Sequence, residues 1–279
     1  WDSCLEELVF EGIRRNNDVI KAASSKVLAQ YAQSICSTTQ LDTDEELPPS
    51  DQHQVSEEVI SRGLALWHQF SVQLISNNVL QKEKTPIKLI LSDALSYVSP
   101  VIFFRAEIIT QNNLVENMIV LSHDSNATVR ANALRALGIL LSHQKFHLDC
   151  TKYVKRGWDC LISAARDQNL NTRIKAMLGL ANLMDCLCRF PTDTKPCREE
   201  VLHQYFDYIK ASINCMMSAL RDNDKVRANA ARGLGNVCKF ISGFLLSIPS
   251  DKSGTVVDKI AKELFEASEK SSVKVKWNV

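Results

Sequence analysis

His143 and His147 are four residues apart and Cys150 follows three later, so a helix running through all three would align two imidazoles and a thiol as metal ligands. The neighbouring sequence argues against that chemistry. A helix end is expected near Lys145 and no second ligand cluster follows, so the two histidines read as surface residues and no metal is expected. Cys186-x-Cys188 sends its thiols to opposite sides of a helix, which gives neither a zinc site nor a redox pair. Gly233-Leu234-Gly235 carries too few glycines and lies inside a helical pattern, so it serves close helix packing and not a phosphate cradle. The histidines (His53, His68, His123, His143, His147, His203) stand in no Ser, His and Asp arrangement. No catalytic residue and no cofactor is therefore expected, and the chain does not read as an enzyme.

The elements that hold these residues follow from composition and period. Leu, Ala, Ile and Val dominate, Gly (9) and Pro (7) are sparse, and 45% of the 279 residues are hydrophobic, which favours helices with a large core. Nine cysteines form an odd set without framework spacing. Most lie in apolar helical patterns (Cys36, Cys160, Cys215, Cys238) and behave as small hydrophobes. Reduced thiols suit a cytoplasmic or nuclear setting, where the sequon at Asn126-Ala127-Thr128 has no role. A formal net charge of +1 gives no global field for nucleic acid or anionic lipid. No charged-then-apolar leader opens the sequence, and Lys88, Asp93 and Pro100 interrupt its most apolar region, so no membrane span is expected.

One pattern recurs along the chain. Val129-Arg130-Ala131-Asn132-Ala133-Leu134-Arg135-Ala136-Leu137-Gly138 is answered by Val226-Arg227-Ala228-Asn229-Ala230-Ala231-Arg232-Gly233-Leu234-Gly235, with weaker copies at Thr172, Ile87 and Ile20 and a last one at Val275. The markers are separated by 67, 42, 43, 54 and 49 residues, and two-helix repeats of roughly 40 to 47 residues are the HEAT and armadillo class. Each marker opens a second helix. The amphipathic segments 5–13, 59–80, 114–121, 154–165, 201–220 and 256–267 make the first helices. This predicts an all-α solenoid over 1–279, an α-α superhelix of about six pairs: 1–36, 56–98, 101–142, 151–190, 199–247 and 255–279. Residues 37–55, acidic around Pro48-Pro49, are expected as a mobile loop; 190–200 and 248–254 are shorter insertions. Ending at Val279 within a repeat, the chain reads as a fragment of a longer one.

The signature Asp124-x4-Val129-Arg130-x2-Ala133-x3-Leu137, echoed by Asp167-x5-Arg173, resembles the HEAT repeat family over essentially the whole chain. The run from Arg221 to Asn236 followed by Val273-Lys274-Val275-Lys276-Trp277-Asn278-Val279 resembles one member of that family more narrowly. The resemblance implies a non-catalytic scaffold that gathers proteins on a concave face lined by second helices. It also implies that the Arg or Lys after each marker pairs with turn acids, here Asp124 and Asp167. The turn acid shifts to Asp222 in the later copy and is at best Glu83 in the second, so an unbroken ladder is not expected.

On a helical projection, positions 129, 133, 137 and 140 share one arc and 132, 135 and 139 another. The second arc is polar. It holds Asn132 and Arg135, then Lys175 and Asn182, then Asn229, Arg232 and Asn236, then Asn278, a stripe that would offer Asn and Arg donors to an extended protein partner. The bland alternative is a solvated helix face. The rival reading is nucleic acid, held by a basic line of Lys21, Lys88, Arg130, Arg173, Arg227 and Lys276 with Arg135, Lys175 and Arg232.

Overall fold

The computed structural model describes residues 3–40, 55–76, 79–191, 197–238 and 253–269. Among them every regular element is helical: α1 (Ser3–Arg14), α2 (Asp18–Gln40), α3 (Glu57–Gln69) continuing into a π-helical stretch (Phe70–Ile75), α4 (Val79–Lys82), α5 (Thr85–Leu95), α6 (Pro100–Phe103), α7 (Ile108–Leu121), α8 (Ala127–Leu141), α9 (Gln144–Asp149), α10 (Thr151–Ala164), α11 (Leu170–Cys188), α12 (Arg198–Gln204), α13 (Phe206–Ala219), α14 (Asp224–Asn236) and α15 (Ser253–Glu269). The expected all-α class is observed. The helices gather into two compact units, Trp1–Ala136 and Leu137–Val279.

Burial selects the helix phase. Eight residues after each of the first five markers stands a leucine, and Leu28, Leu95, Leu137, Leu180 and Leu234 are all fully buried. In unit 1, α1 packs on α2 and α2 on α5, over a core that includes Trp67, Phe70 and Phe103. In unit 2, α10 packs on α11, α13 on α14 and α11 on α14. Its core centres on Trp158, whose Nε1 donates to Ser212 Oγ at 2.7 Å and whose ring lies 5.6 Å from that of Tyr205.

The turns before the second helices are built by Asp and Asn. Asp124 Oδ1 accepts from the amide of Asn126, and Asn126 Oδ1 in turn accepts from the amides of Thr128 and Val129, capping α8. Asp167 and Asn169 repeat the device for α11, and Asp222 and Asn223 for α14. Arginine closes each turn from inside its helix: Arg130 donates to the carbonyls of Asp124 and Ser125, Arg173 to those of Asp167 and Gln168, and Arg227 to that of Asp222.

Three expectations need correction. Residues 37–40, placed in the acidic loop, complete α2: Ser37 and Thr38 hydroxyls donate to carbonyls one turn back, and buried Thr39 donates to Ser99 Oγ at 2.7 Å. The rest of that loop, 41–54, lies outside the described residues. The first helix 201–220 is broken at Tyr205, which leaves helical backbone (φ −113°, ψ 17°) with its ring buried beside Trp158 and His147. His147 is not a surface residue. It is buried, its Nε2 is 2.8 Å from the Leu141 carbonyl oxygen, and its ring meets Phe190 and Tyr205 edge-on.

Candidate interaction face of the second helices

The stripe residues sit in the phase expected, beside the buried arc, but they are not a freely solvated face. Asn132 and Arg135 are half-buried in unit 1. Asn132 Nδ2 donates to Ser92 Oγ of α5 at 3.1 Å; Arg135 makes a long 3.5 Å contact to Ser96 Oγ, and its guanidinium lies 4.9 Å from the centre of the Tyr97 ring. In unit 2, half-buried Arg232 donates to Asn182 Oδ1, tying α14 to α11. Burial pushes the Arg232 guanidinium down from its ordinary value, opposed by the Asp185 charge. Asn229 Nδ2 donates to the Lys225 carbonyl one turn back, and the carbonyl of Asn236 accepts a 3.7 Å contact from Cys188 Sγ. Lys175 is half-buried on the same face of α11. Asn278 lies outside the described residues.

The cations that open the second helices are committed elsewhere. Lys21 pairs with Glu83 at 2.5 Å and Lys88 with Asp124 at 3.1 Å, each reaching the turn of the following repeat. Arg173 takes Asp222 with two bonds, 2.6 and 2.9 Å, and that hydrogen bonding holds the Asp222 carboxyl below the usual carboxylate range. The two acids that depart from the pattern in sequence, Glu83 and Asp222, thus form rungs of the same kind as Asp124.

Applying the same register to the first two second helices reveals what the sequence reading passed over. The positions of Asn132 and Arg135 correspond to Ile90 and Asp93 on α5, and the position of Arg135 to Lys26 on α2, with Gln30 one turn on. Lys26, Ala29, Gln30, Gln33, Leu89, Ile90, Asp93, Thr128 and Asn132 line one groove of about 370 Å³. The signal was the period itself, since these copies match the others in spacing but not in residue type.

α8 ends at Leu141 and His143 stands ahead of α9, so His143, His147 and Cys150 do not share a helix. Cys186 and Cys188 are both buried, and burial pushes each thiol up to about 12. Among the described residues no group of three or more His, Cys, Asp or Glu is placed to hold a metal ion, and no helix is long and apolar enough to cross a membrane. A Cβ on Gly233 would stand 3.2 Å from the Cα of Ala181, so Gly233 serves close packing of α14 on α11.

Solved structures share this arrangement. An engineered protein superposes with a TM-score of 0.64 at 17% identity, covering 100% of this chain and 96% of its own. A designed armadillo repeat protein in complex with the peptide (KR)4 gives 0.63 at 12% identity, covering 99% and 96%. The fold is of the HEAT and armadillo type. No family model matches the sequence. An uncharacterized protein of Dictyostelium discoideum is 32% identical over 130 residues, 47% of this chain; the match spans 8% of that protein's length.

Proposed function

We propose that this chain is a non-catalytic scaffold in which the second helices of each unit present a polar, half-exposed face to a protein partner. The observation that carries the reading is the division of labour among polar side chains. The cations at the start of the second helices are spent on turn acids and turn carbonyls, whereas Asn132, Arg135, Lys175, Asn182, Asn229, Arg232 and Asn236 repeat on one phase with surface left to offer. A similarly folded designed armadillo protein holds a peptide, which supports a polypeptide as ligand. The run 221–236 with 273–279 resembles HEAT repeat-containing protein six, and the described part of that run supplies the α14 end of the face; residues 273–279 lie outside the described residues. An intracellular setting, cytoplasmic or nuclear, belongs to this reading.

Nucleic acid is the second reading. Engagement of Lys21, Lys88, Arg130, Arg173 and Arg227 within the fold leaves a shorter basic line for a phosphate backbone. Affinity capture with the intact chain, with and without nuclease, separates the two. The expected result is a set of captured proteins that survives nuclease and is lost with Arg232→Gln at an unchanged fold by circular dichroism. Capture that vanishes with nuclease, or that is identical for the variant, overturns the scaffold reading.

A further inference from the structure

The groove in unit 1 gathers polar groups that, among the described residues, keep hydrogen-bonding capacity. Asp93 is half-buried; among the described residues its carboxylate has no ion pair and accepts no hydrogen bond, and the Arg135 charge acts on it from a distance. Asn132 spends its amide nitrogen on Ser92 and keeps its carbonyl oxygen free. Gln30, Gln33 and Thr128 are exposed around the rim, and the aliphatic stems of Ala29, Leu89 and Ile90 complete the lining. Uncharged amides beside a short apolar floor suit a peptide backbone, which alternates donors and acceptors.

Charge then narrows the occupant. At one register position the three successive second helices carry Lys26, Asp93 and Arg135, a row of alternating sign. Packed helices stand roughly 8 to 10 Å apart. A polyproline II segment repeats its face every third residue at about 3.1 Å each, so equivalent side chains recur every 9 Å or so. Resting on the scaffold reading above, we infer that the unit 1 groove takes an extended peptide with a basic residue over Asp93, flanked three residues to each side by acidic ones, in the pattern acid-x-x-base-x-x-acid. The flanking acids meet Lys26 and Arg135.

Lys26 of α2 lines the groove with Asp93, and Arg135 of α8 lies beside it, close enough for its charge to act on Asp93; Lys88, on α5 itself, is held by Asp124. Burial raises the Asp93 carboxyl above its ordinary value, and the Arg135 charge opposes that. A basic side chain above it favours the ionised form, so binding strengthens as pH rises through the free groove's Asp93 titration and fades below it.

The experiment is fluorescence anisotropy of the full chain with a labelled Glu-Ser-Ser-Lys-Ser-Ser-Glu peptide and its charge reversal, Lys-Ser-Ser-Glu-Ser-Ser-Lys. The first should bind at least about tenfold more tightly than the second, and Asp93→Asn should remove about that tenfold while leaving the circular dichroism melt in place. Equal binding of the two peptides, no binding of either, or an Asp93→Asn affinity equal to wild type overturns the inference. If that happens while protein capture still depends on Arg232, this inference falls and the scaffold reading stands; if Arg232 also proves indifferent, the scaffold reading falls with it.

Discussion

In unit 2 the second helices close until backbone meets backbone. A Cβ placed on Gly138 of α8 would lie 2.9 Å from the Cα of Gly179 on α11, and Gly233 of α14 stands against Ala181. In unit 1 α2 packs on α5, and Ala29, Leu89 and Ile90 border a groove of about 370 Å³. Both units bury the same leucine register and bind turn to helix with the same kind of ion pair. The difference lies only in what stands beside that register. Small residues close the packing in unit 2, and the unit 1 groove is bordered by Ala29, Leu89 and Ile90.

The shared leucines give the largest test of this comparison. Leu95→Ala in unit 1 and Leu137→Ala and Leu234→Ala in unit 2 each empty a fully buried site and should cost about 2 to 5 kcal/mol in chemical denaturation. Similar costs in both units place the difference on the polar face alone. A cost under about 0.5 kcal/mol at any of the three would mean that its helix phase is wrong there.

The sealed interface breaks more specifically. Gly138→Val drives a side chain into the Gly179 backbone, which has no rotamer by which to yield, and overpacking of this kind costs about 1 to 3 kcal/mol. Ala29→Val, at the edge of the open groove, is expected to cost less. Equal melting temperatures for the two variants would remove the distinction between sealed and open faces.

How much of this stood in the sequence depends on how far each feature is local. The helix pairs and the buried arc were legible, because Val129, Ala133 and Leu137 recur at Val226, Ala230 and Leu234 with the period that burial requires. The role of Arg173 was half legible: its spacing from Asp167 suggested a turn contact, whereas its carboxylate partner, Asp222, lies 49 residues away and only the stacking of helices brings it there. The break at Tyr205 carried no local signal, since no Gly or Pro marks it and the cause is a tertiary aromatic cluster. The unit 1 groove was missed because the reading followed residue type, Asn and Arg, where register alone connects Asp93 to Arg135. The stripe's contacts with the neighbouring helices were not legible in the sequence. A polar side chain on a second helix finds its neighbour's hydroxyl or amide, as Asn132 finds Ser92 and Arg232 finds Asn182, before it finds water.

Two aspartates sharpen the comparison at its smallest expected effect. Asp222 is held by two bonds from Arg173 and sits below the usual carboxylate range, first through that hydrogen bonding. A group with a lowered folded pKa adds stability that is fully present above its unfolded value, near 4, and is lost as pH falls through the folded one. Asp222→Asn should therefore cost about 1 kcal/mol at neutral pH, the scale of a partly exposed pair, and flatten the acid limb of the stability curve. Asp93 shows the opposite sign, because burial raises its pKa more than the Arg135 charge lowers it, and among the described residues no cation forms an ion pair with it. Its contribution to stability is greatest where it is protonated and fades as pH rises through the raised value. Asp93→Asn should then leave neutral-pH stability within about 0.5 kcal/mol of wild type or slightly higher, measured by urea denaturation across pH 3 to 7. An aspartate whose removal does not weaken the fold, yet weakens a peptide, is there for the ligand. If Asp93→Asn proved as destabilising as Asp222→Asn, Asp93 would be a structural group and the groove would lose its recognition element.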